Sequence, residues 1–331
     1  MVSITDVAKK SGVSKSTVSK ALNGTGNLRP ETRERIKVIA QQLNYIPNIN
    51  AQGLKSKKNY LIGILFAEKK ETGLLHGFYS RLIEHFRRLV SNHGFDIVFM
   101  SDNYVGQSVN LLEKSMIRGL DAILLITFDG RKEILDLYRA NIPIICTDRS
   151  DVYFHTIVSD DLKGAQLATT HLIELGHRQI VHVAGPEYSR TASVRIRGYE
   201  EAMKRAGLVN HVIKAEHYTF EASYEITNNL LTKLKPDAIF AASDLMAMGA
   251  IRAIQEAGLR VPEDVSVVGY DGEPEFEYSN PPLTTVKQQY DIIGDLAGRK
   301  LMTMINGDKP LVEEELVEVS LIIRSSTKQR T

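Results

Sequence analysis

From Tyr60 onward, short apolar segments alternate with amphipathic segments, and this alternation limits the possible folds more than any other feature of the chain. The apolar segments have the length of buried strands and lie at residues 61–66, 95–100, 122–126, 142–146, 180–184, 238–241 and 265–269. Helical patterns lie between them, near residues 78–92, 107–118, 131–140, 162–175, 194–206, 221–234 and 244–257. Strands that alternate with helices are typical of parallel sheets covered on both faces. The pattern therefore predicts two α/β sheets in succession, with ligands bound beyond the carboxyl ends of the strands.

Residues 3–23 have a different pattern, which predicts two short helices around a turn at Gly12. Apolar positions of the two helices can pack against each other, namely Ile4, Val7, Ala8, Val13, Val18 and Leu22. A third helix, from about Pro30 to about Leu43, closes a small three-helix core. The outward positions of the second helix carry hydroxyl and ammonium groups, which reach phosphates and base edges in a DNA groove. The pattern favours a DNA-binding helix-turn-helix, and a solvated helical hairpin is the alternative.

The charge distribution supports the DNA-binding interpretation. Residues 1–60 hold eleven Lys or Arg and three Asp or Glu, a formal charge of +8, so the rest of the chain carries −7 of the total +1. A basic end on an acidic body is typical of a protein that binds a polyanion at that end.

Composition excludes several other classes of protein. With 331 residues and 43% hydrophobic content, the chain is long enough for two or three domains. No run approaches the roughly 18 to 20 apolar residues of a membrane span, and the first residues lack a secretion signal, so we expect a cytoplasmic protein. Cys146 is the only cysteine, which leaves no intrachain disulfide or thiolate metal cluster. No phosphate loop, nucleophile elbow or metal motif supports an enzyme.

Motifs along essentially the whole chain suggest a family. The head contains Ile4-Thr-Asp-Val-Ala, Ser14-x-x-Thr17-Val-Ser19 and Ala21-Leu-Asn23, and Asn44-Tyr-x-Pro47-Asn48 and Ala51-x-x-Leu54 follow. The body contains Leu175-Gly-His-Arg178, Ser243-Asp-Leu-Met-Ala247-x-Gly249, the run from Val261 to Asp271, and Pro281-Pro-Leu-Thr-Thr-Val286. Together these motifs resemble the lactose repressor and galactose repressor family of bacterial transcription regulators.

The resemblance implies an α/β chain with an N-terminal helix-turn-helix head and a body like that of periplasmic binding proteins, built from two subdomains with parallel sheets. The head would span residues 1–46, and a hinge helix and linker residues 47–59. The body, residues 60–331, would divide into an N-subdomain of about 60–159 and 290–317 and a C-subdomain of about 160–289 and 318–331. The implied protein is a homodimeric repressor of a palindromic operator, with a small-molecule effector and no cofactor or bound metal.

In the family pattern, the second helix lies in the major groove. Lys15, Ser16 and Lys20 would then read the base sequence, and a second set would contact the DNA backbone: Thr5, Ser14, Thr17, Ser19, Asn23 and Tyr45. Leu54 resembles the family's minor-groove wedge, flanked by Ala51 and Lys55, and packing of Leu54 against the body is the alternative. The family often has Ala-Arg-x-Leu here, whereas this chain has Ala51-Gln52-Gly53-Leu54, which removes one positive charge.

The resemblance also implies an effector site between the two sheets. Its residues would be Phe78, Tyr79, Asp102, Arg149, Asp160, Arg195, Phe220, Ser243, Asp244, Asp271 and Gln288. Asp160 competes with Asp161 and is preferred because it lies four residues before Gly164. For each carboxylate taken alone, a helix cap or turn is the alternative role. Carboxylates and arginine bond vicinal hydroxyls, which favours a carbohydrate, although an aromatic ring such as Phe220 also suits a nucleobase.

Two further functions remain open in the sequence. The cluster of Arg81, His85, Arg87 and Arg88 could dock a phosphorylated partner protein, or form an ordinary solvated helix face. The body alone would suit a solute-binding protein of a transporter, but the basic head argues against that reading. The tail after Ser325 has no leucine heptads, so a tetramer is not predicted.

Overall fold

The computed structural model describes residues 2–45, 58–66, 74, 76–100, 110–127, 132–139, 142–147, 154–308 and 312–330. The chain divides into two compact units, Met1–Asn59 and Tyr60–Thr331. The predicted hinge helix lies outside the described residues. Among the described residues, no helix is both long and apolar enough to span a membrane.

The described part of the first unit contains three helices: α1 (Ile4–Ser11), α2 (Lys15–Leu22) and α3 (Pro30–Gln42). Gly12 ends α1 with a φ of 67°, a left-handed conformation that glycine adopts at little cost. The core between the helices is small and apolar, and Val7, Val18 and Ile36 are fully buried in it. This is the three-helix arrangement that the spacing of apolar residues predicts.

The first sheet of the body is entirely parallel, in the order β11-β5-β4-β3-β1-β2. Its strands are β1 (Leu61–Phe66), β2 (Asp96–Met100), β3 (Ala122–Thr127), β4 (Ile144–Cys146), β5 (His155–Ser159) and β11 (Glu314–Val317). Ile62 and Ile64 of β1 pack towards α4 (Gly77–Asn92) and α11 (Tyr290–Ile305). Leu65 packs on the opposite face, with α5 (Leu111–Arg118) and α6 (Lys132–Arg139), because successive strand residues point to opposite faces.

The second sheet has the order β12-β10-β9-β8-β6-β7, and only β12 is antiparallel to its neighbour. Its strands are β6 (Ile180–Ala184), β7 (His211–Lys214), β8 (Ala238–Ala241), β9 (Ser266–Asp271), β10 (Thr284–Lys287) and β12 (Ser320–Ile322). One face is covered by α7 (Asp161–Glu174) and α8 (Arg190–Arg205). The other is covered by α9 (Phe220–Leu231) and α10 (Asp244–Glu256).

The chain passes between the two sheets three times: after β5, after β10 and between β11 and β12. The strand-helix alternation alone predicts two sheets in succession, and that part of the prediction is incomplete. The segment that follows β10 in the chain, with α11 and β11, belongs to the first sheet, and only β12 then completes the second. The ends of β5 and β10 lie close together at these crossings. The hydroxyl of Ser159, at the end of β5, donates a hydrogen bond to the side-chain oxygen of Gln288, directly after β10.

Candidate functional sites

The exposed face of α2 is the candidate DNA-binding surface of the head. Ser14 precedes the helix, and its side chain accepts a hydrogen bond of 3.1 Å from the backbone N–H of Thr17. This bond satisfies one of the free N–H groups at the start of a helix. Lys15, Ser16 and Lys20 are exposed, and α2 contains no acidic residue. The face therefore presents two positive charges and a row of hydroxyl groups.

Some of the other predicted DNA contacts are less exposed than this face, and some lie outside the described residues. Thr5, Thr17 and Ser19 are half-buried, and the exposed Asn23 side chain donates to the Ser19 hydroxyl over 3.4 Å. Tyr45 packs against the apolar core of the head. Ala51, Leu54 and Lys55 lie outside the described residues.

Arg195 is at the centre of the candidate effector site in the body. It lies on α8, is buried, and donates from Nε to Asp161 over 2.8 Å and from Nη1 to the carbonyl oxygen of Ala242 over 2.5 Å. Its guanidinium carbon lies 3.6 Å from the centre of the Tyr270 ring, a cation–π contact. Burial alone would lower the pKa of Arg195, but Asp161 and other acidic neighbours raise it, so the side chain stays charged. The guanidinium is thus held in one position at the ends of the strands.

Asp271 ends β9 and lies in the same cluster. One carboxylate oxygen accepts a 2.6 Å hydrogen bond from the Gln288 amide, whose oxygen in turn accepts from the Ser159 hydroxyl over 2.6 Å. Burial raises the pKa of Asp271 to about 7, although Arg195 and the bond from Gln288 lower it in part. These two hydrogen bonds, from Ser159 to Gln288 and from Gln288 to Asp271, connect the crossings after β5 and after β10 with the buried carboxylate of Asp271.

Asp244 is also a predicted effector contact, but both of its carboxylate oxygens already accept hydrogen bonds from the protein. Its carboxylate accepts hydrogen bonds from the Thr285 hydroxyl, at 2.5 Å, and from the backbone N–H of Glu273, at 2.8 Å. Burial, and then the charge of Asp271, raise the pKa of Asp244 well above its ordinary value. These contacts hold the loop after β9 in place, so Asp244 positions the site.

The structure places Asp160 and Asp161 in different surroundings. Asp160 caps α7, where its side chain accepts from the backbone N–H of Lys163 over 2.9 Å. Asp161, the first residue of α7, is the one that pairs with Arg195. The helix begins at Asp161, one residue before the predicted start at 162, so Asp160 is its cap and Asp161 lies in its first turn beside Arg195.

The remaining predicted effector residues lie in the apolar core of the first sheet or at the starts of helices of the second. Phe78 is buried in the apolar core of the first sheet, and Tyr79 packs against that core. Ser243 caps α10 through the N–H of Met246, and Phe220 begins α9 with its ring stacked on that of Tyr224. For Phe78 and Ser243, packing and capping account for the observed positions. Asp102 and Arg149 lie outside the described residues.

Two side chains that the sequence reasoning missed complete the cluster, His76 and Glu273. A His76 ring nitrogen lies 3.9 Å from Asp271 Oδ2, and the other lies 3.8 Å from Glu273 Oε1. Burial lowers the pKa of His76, whereas burial and Asp271 raise that of Glu273. The position of Glu273, two residues after Asp271 at a strand end, could have revealed it. His76 lies in a segment without a periodic pattern, which gave no comparable signal.

The basic cluster on α4 is paired with acidic side chains. Arg87 and Arg88 both bond Glu84, and Arg81 bonds Glu275. Because Arg87 and Arg88 share Glu84, the two carboxylates offset two of the three arginine charges, and all three guanidinium groups already have an acidic partner. The cluster is therefore better explained as a paired surface of α4.

Comparison with known proteins identifies the family. A family model for bacterial regulatory proteins of the lacI family matches residues 3–48, and one for a periplasmic binding protein-like domain matches residues 169–327. The probable HTH-type transcriptional repressor ExuR of Bacillus subtilis (strain 168) is 30% identical over an alignment 353 positions long, which covers 100% of both chains.

Solved structures agree along the whole chain. The Lac repressor dimer bound to operator and the anti-inducer ONPF matches with a TM-score of 0.88 at 29% identity, over 99% of both chains. The transcriptional regulator CelR in complex with cellobiose matches with a TM-score of 0.72 at 29% identity, over 98% of this chain and 100% of that one. The predicted fold class is confirmed, as is the prediction of a DNA-binding transcriptional regulator instead of an enzyme. The chain therefore belongs to the lacI family of bacterial regulatory proteins.

Proposed function

We propose that this protein represses transcription by binding a palindromic operator as a homodimer, and that a neutral polyhydroxylated molecule bound between the two sheets controls its DNA affinity. The observation that carries the proposal is the buried cluster of Arg195, Asp161, Asp271 and Gln288 at the points where the chain crosses between sheets. A ligand that bonds this cluster acts directly on the crossing segments.

In the head, Lys15, Ser16 and Lys20 read base edges, and Thr5, Ser14, Thr17, Ser19, Asn23 and Tyr45 contact the DNA backbone. The exposure of Lys15, Ser16 and Lys20 supports the first assignment. Ala51, Leu54 and Lys55 complete the proposed contacts in the minor groove.

The chemistry of the cluster supports a sugar as the effector. Asp271 has an acceptor oxygen without a hydrogen-bond partner among the described residues, and a sugar hydroxyl is a matching donor. Several carboxylates lie around it, so a neutral ligand is favoured over a sugar phosphate or a sugar acid. The cellobiose complex of CelR, a structural neighbour, supports the same class.

The homodimer is supported by apolar side chains exposed at one edge of the body. Phe99 lies on β2, the edge strand of the first sheet, and Met116 and Ile117 lie on α5, the helix that follows it. Large apolar side chains in solvent are typical of a surface covered by a partner. The Lac repressor structure that matches this chain is itself a dimer on operator DNA.

Control of DNA binding follows from linkage. An effector that binds one arrangement of the two sheets more tightly than the other shifts the equilibrium towards it, by no more than the difference in its binding free energy. The Ser159–Gln288–Asp271 chain connects the proposed effector contact with two crossing segments.

The proposal is tested by a thermal-shift screen of neutral sugars, sugar phosphates, sugar acids and nucleobases on the full chain. A neutral sugar should raise the melting temperature, and at about 100 times Kd the stabilisation is about 2.7 kcal/mol. The same sugar should alter binding to an operator duplex selected in vitro from random sequence.

Asp271→Asn should lose the shift, whereas Asp264→Asn, at a surface ion pair with Arg260, should keep it. A shift of equal size in Asp271→Asn would contradict the assigned site. If only nucleobases or phosphates bind, the effector class is wrong.

A further inference from the structure

We propose that His76, Asp271 and Glu273 form a binding site for a divalent transition-metal ion, of which Zn²⁺ is the representative, that joins the two halves of the body. One ligand atom from each side chain lies within 4.8 Å of the other two. The inference goes beyond the proposed sugar site. The two sites share one residue, Asp271, and one unpartnered atom, its Oδ2, whereas His76 and Glu273 belong to the metal site alone.

The three donors suit such an ion. One imidazole nitrogen with two carboxylate oxygens is a donor set that Zn²⁺ and neighbouring metals accept. Zinc–ligand distances of about 2.1 Å place tetrahedral ligand atoms about 3.4 Å apart. One nitrogen of His76 and one carboxylate oxygen each of Asp271 and Glu273 lie within 4.8 Å of one another. The 3.9 Å contact of His76 with Asp271 is made by Nε2 and the 3.8 Å contact with Glu273 by Nδ1, so only one of these nitrogens would bind the ion. Movements on the order of 1–1.5 Å would bring the three donor atoms to tetrahedral separations.

Unpartnered polar atoms point to a missing ligand here. Asp271 is only 3% exposed, yet its Oδ2 has no hydrogen-bond partner among the described residues, and neither has His76 Nδ1. A buried polar atom without a partner costs roughly 1–3 kcal/mol, so natural proteins rarely leave one unused. A bound cation would supply the missing partner to the carboxylate and to one nitrogen of the imidazole.

The local charge balance also favours a cation. Asp161, Asp244, Asp271 and Glu273 gather around the end of β9, and burial of several carboxylates is unfavourable without positive charge. Arg195 is already paired with Asp161, and Arg81, at the edge, is paired with Glu275. Among the described side chains of the cluster, the carboxylates thus exceed the arginines that face them.

An ion could reach the site through a groove. A cavity of about 720 Å³ lies between the start of α4 and the loop after β9, and His76 and Glu273 both line it. Three protein ligands leave at least one coordination position for water or for an oxygen of a bound ligand.

The position of the site links metal binding to conformation. His76 immediately precedes α4, which packs on the first sheet, whereas Asp271 and Glu273 follow β9 of the second. All three can bind one ion only while these elements stay close. The ion would therefore favour the arrangement in which the start of α4 lies close to the end of β9. The size of the effect equals the difference in the ion's binding free energy between that arrangement and one in which they are apart.

The test measures metal binding by the full chain after removal of bound metal with a chelator. Equilibrium dialysis with ZnCl₂ should give one ion per chain, and bound Co²⁺ should show a visible ligand-field spectrum. His76→Gln and Glu273→Gln should each weaken Zn²⁺ binding about tenfold or more. Glu275→Gln is the matched control, since this carboxylate lines the same groove but pairs with Arg81, and it should bind Zn²⁺ as the wild type does.

Equal Zn²⁺ affinity in wild type, His76→Gln and Glu273→Gln would overturn the proposal, as would failure of the wild type to bind Zn²⁺. Circular dichroism and metal-free melting temperatures verify that the variants are folded. The two proposals fail separately: His76→Gln and Glu273→Gln should retain the sugar-induced thermal shift that Asp271→Asn loses.

Discussion

Arg195 and Asp161 form a buried ion pair in which each side chain depends on the other. Their side chains are 5% and 12% exposed, and the guanidinium also bonds the Ala242 carbonyl and covers the Tyr270 ring. Removing one member of such a pair leaves the other charge without compensation in a medium that solvates it poorly. The pair therefore serves the stability of the body as well as its effector site.

We expect Arg195→Met to lower the free energy of unfolding by about 3–5 kcal/mol. The double variant Arg195→Met/Asp161→Leu should lose less than the sum of the two single losses, because no charge is then left buried. Urea unfolding followed by circular dichroism measures all three. Arg260→Met, which breaks an exposed pair, should cost less than about 1 kcal/mol. Strict additivity of the Arg195 and Asp161 losses would contradict the assigned coupling.

His182 is a second residue whose charge state affects stability. It is fully buried in β6, its ring stacks on Phe240 at 4.4 Å, and its Nδ1–H donates to the Phe240 carbonyl. Burial lowers its pKa from 6.5 to about 4. Because the unfolded chain binds the proton more readily, the stabilisation is complete above pH 6.5 and is lost as the pH falls towards 4.

Between pH 8 and pH 5, the wild type should lose about 2 kcal/mol more stability than His182→Phe. The raised pKa values of Asp244 and Asp271 give pH effects of the opposite sign, but they are common to both proteins and cancel in the comparison. His93→Gln, at an exposed histidine, should behave as the wild type. Parallel stability curves for wild type and His182→Phe would disprove the buried neutral histidine.

At this scale the sequence predicted some positions and not others. Arg195 and Asp271 could be assigned because each occupies a fixed place in a recognisable motif. The spacing to Gly164 favours Asp160 over Asp161, but it does not reveal which of the two caps the helix. Helix boundaries are uncertain by one or two residues, and here one residue separates the cap from the acid that pairs with Arg195. His76 joins the cluster only through tertiary folding, which no local pattern records.

Helix caps are the clearest feature at the scale of secondary-structure elements. The side chain that precedes a helix accepts a hydrogen bond from the N–H of the third helical residue at Ser14, Asn110, Asp160, Ser189, Thr219 and Ser243. The caps explain why α8 begins at Arg190, four residues before the start expected from apolar spacing. Spacing detects the buried stripe of a helix, whereas the polar first turn begins before it.

Ser14 allows the roles of cap and DNA contact to be separated. Ser14→Ala should destabilise α2 by about 1 kcal/mol. Ser14→Asp should preserve the cap, because aspartate is a good N-cap, but should weaken operator binding by placing negative charge beside a phosphate. Amide exchange of residues 4–22 and fluorescence anisotropy with the selected operator measure the two effects. Wild-type affinity in Ser14→Asp would exclude the proposed backbone contact.

The strands divide into those visible in the sequence and those hidden. The sequence predicts β1, β3 and β6 because they are almost entirely apolar, with His182 as the polar exception in β6 and Thr127 at the end of β3. β10 is buried although it reads Thr-Thr-Val-Lys, because its hydroxyls bond distant partners: Thr284 bonds Thr327, and Thr285 bonds Asp244. Local hydrophobicity cannot reveal a polar strand that depends on partners elsewhere in the chain.

At the scale of the whole molecule, the edge of the first sheet bears on assembly. Met116 and Ile117 on α5 are 67% and 59% exposed. Met116→Lys/Ile117→Lys should shift the protein from dimer to monomer in sedimentation velocity and weaken operator binding, because two linked heads bind a palindrome more tightly than one. Val209→Lys, at an equally exposed apolar residue after α8, should remain dimeric. A dimeric double variant would exclude α5 from the interface.

The three crossings of the chain between the sheets could not be predicted from local patterns. Strand-helix alternation predicts the presence of the sheets, but it does not state which sheet receives the residues after β10. Only the resemblance to the repressor family indicated that α11 and β11 return to the first sheet. Connectivity of this kind is set by packing of distant segments, such as α11 against α4.

The return of β11 to the first sheet also affects synthesis on the ribosome. The first sheet receives its outermost strand from residues 314–317, and α11 covers one of its faces, although its first strand begins at Leu61. A nascent chain therefore exposes an incomplete first sheet until almost the whole protein has been translated. Premature termination after β10 would leave a chain with the DNA-binding head but without a finished body.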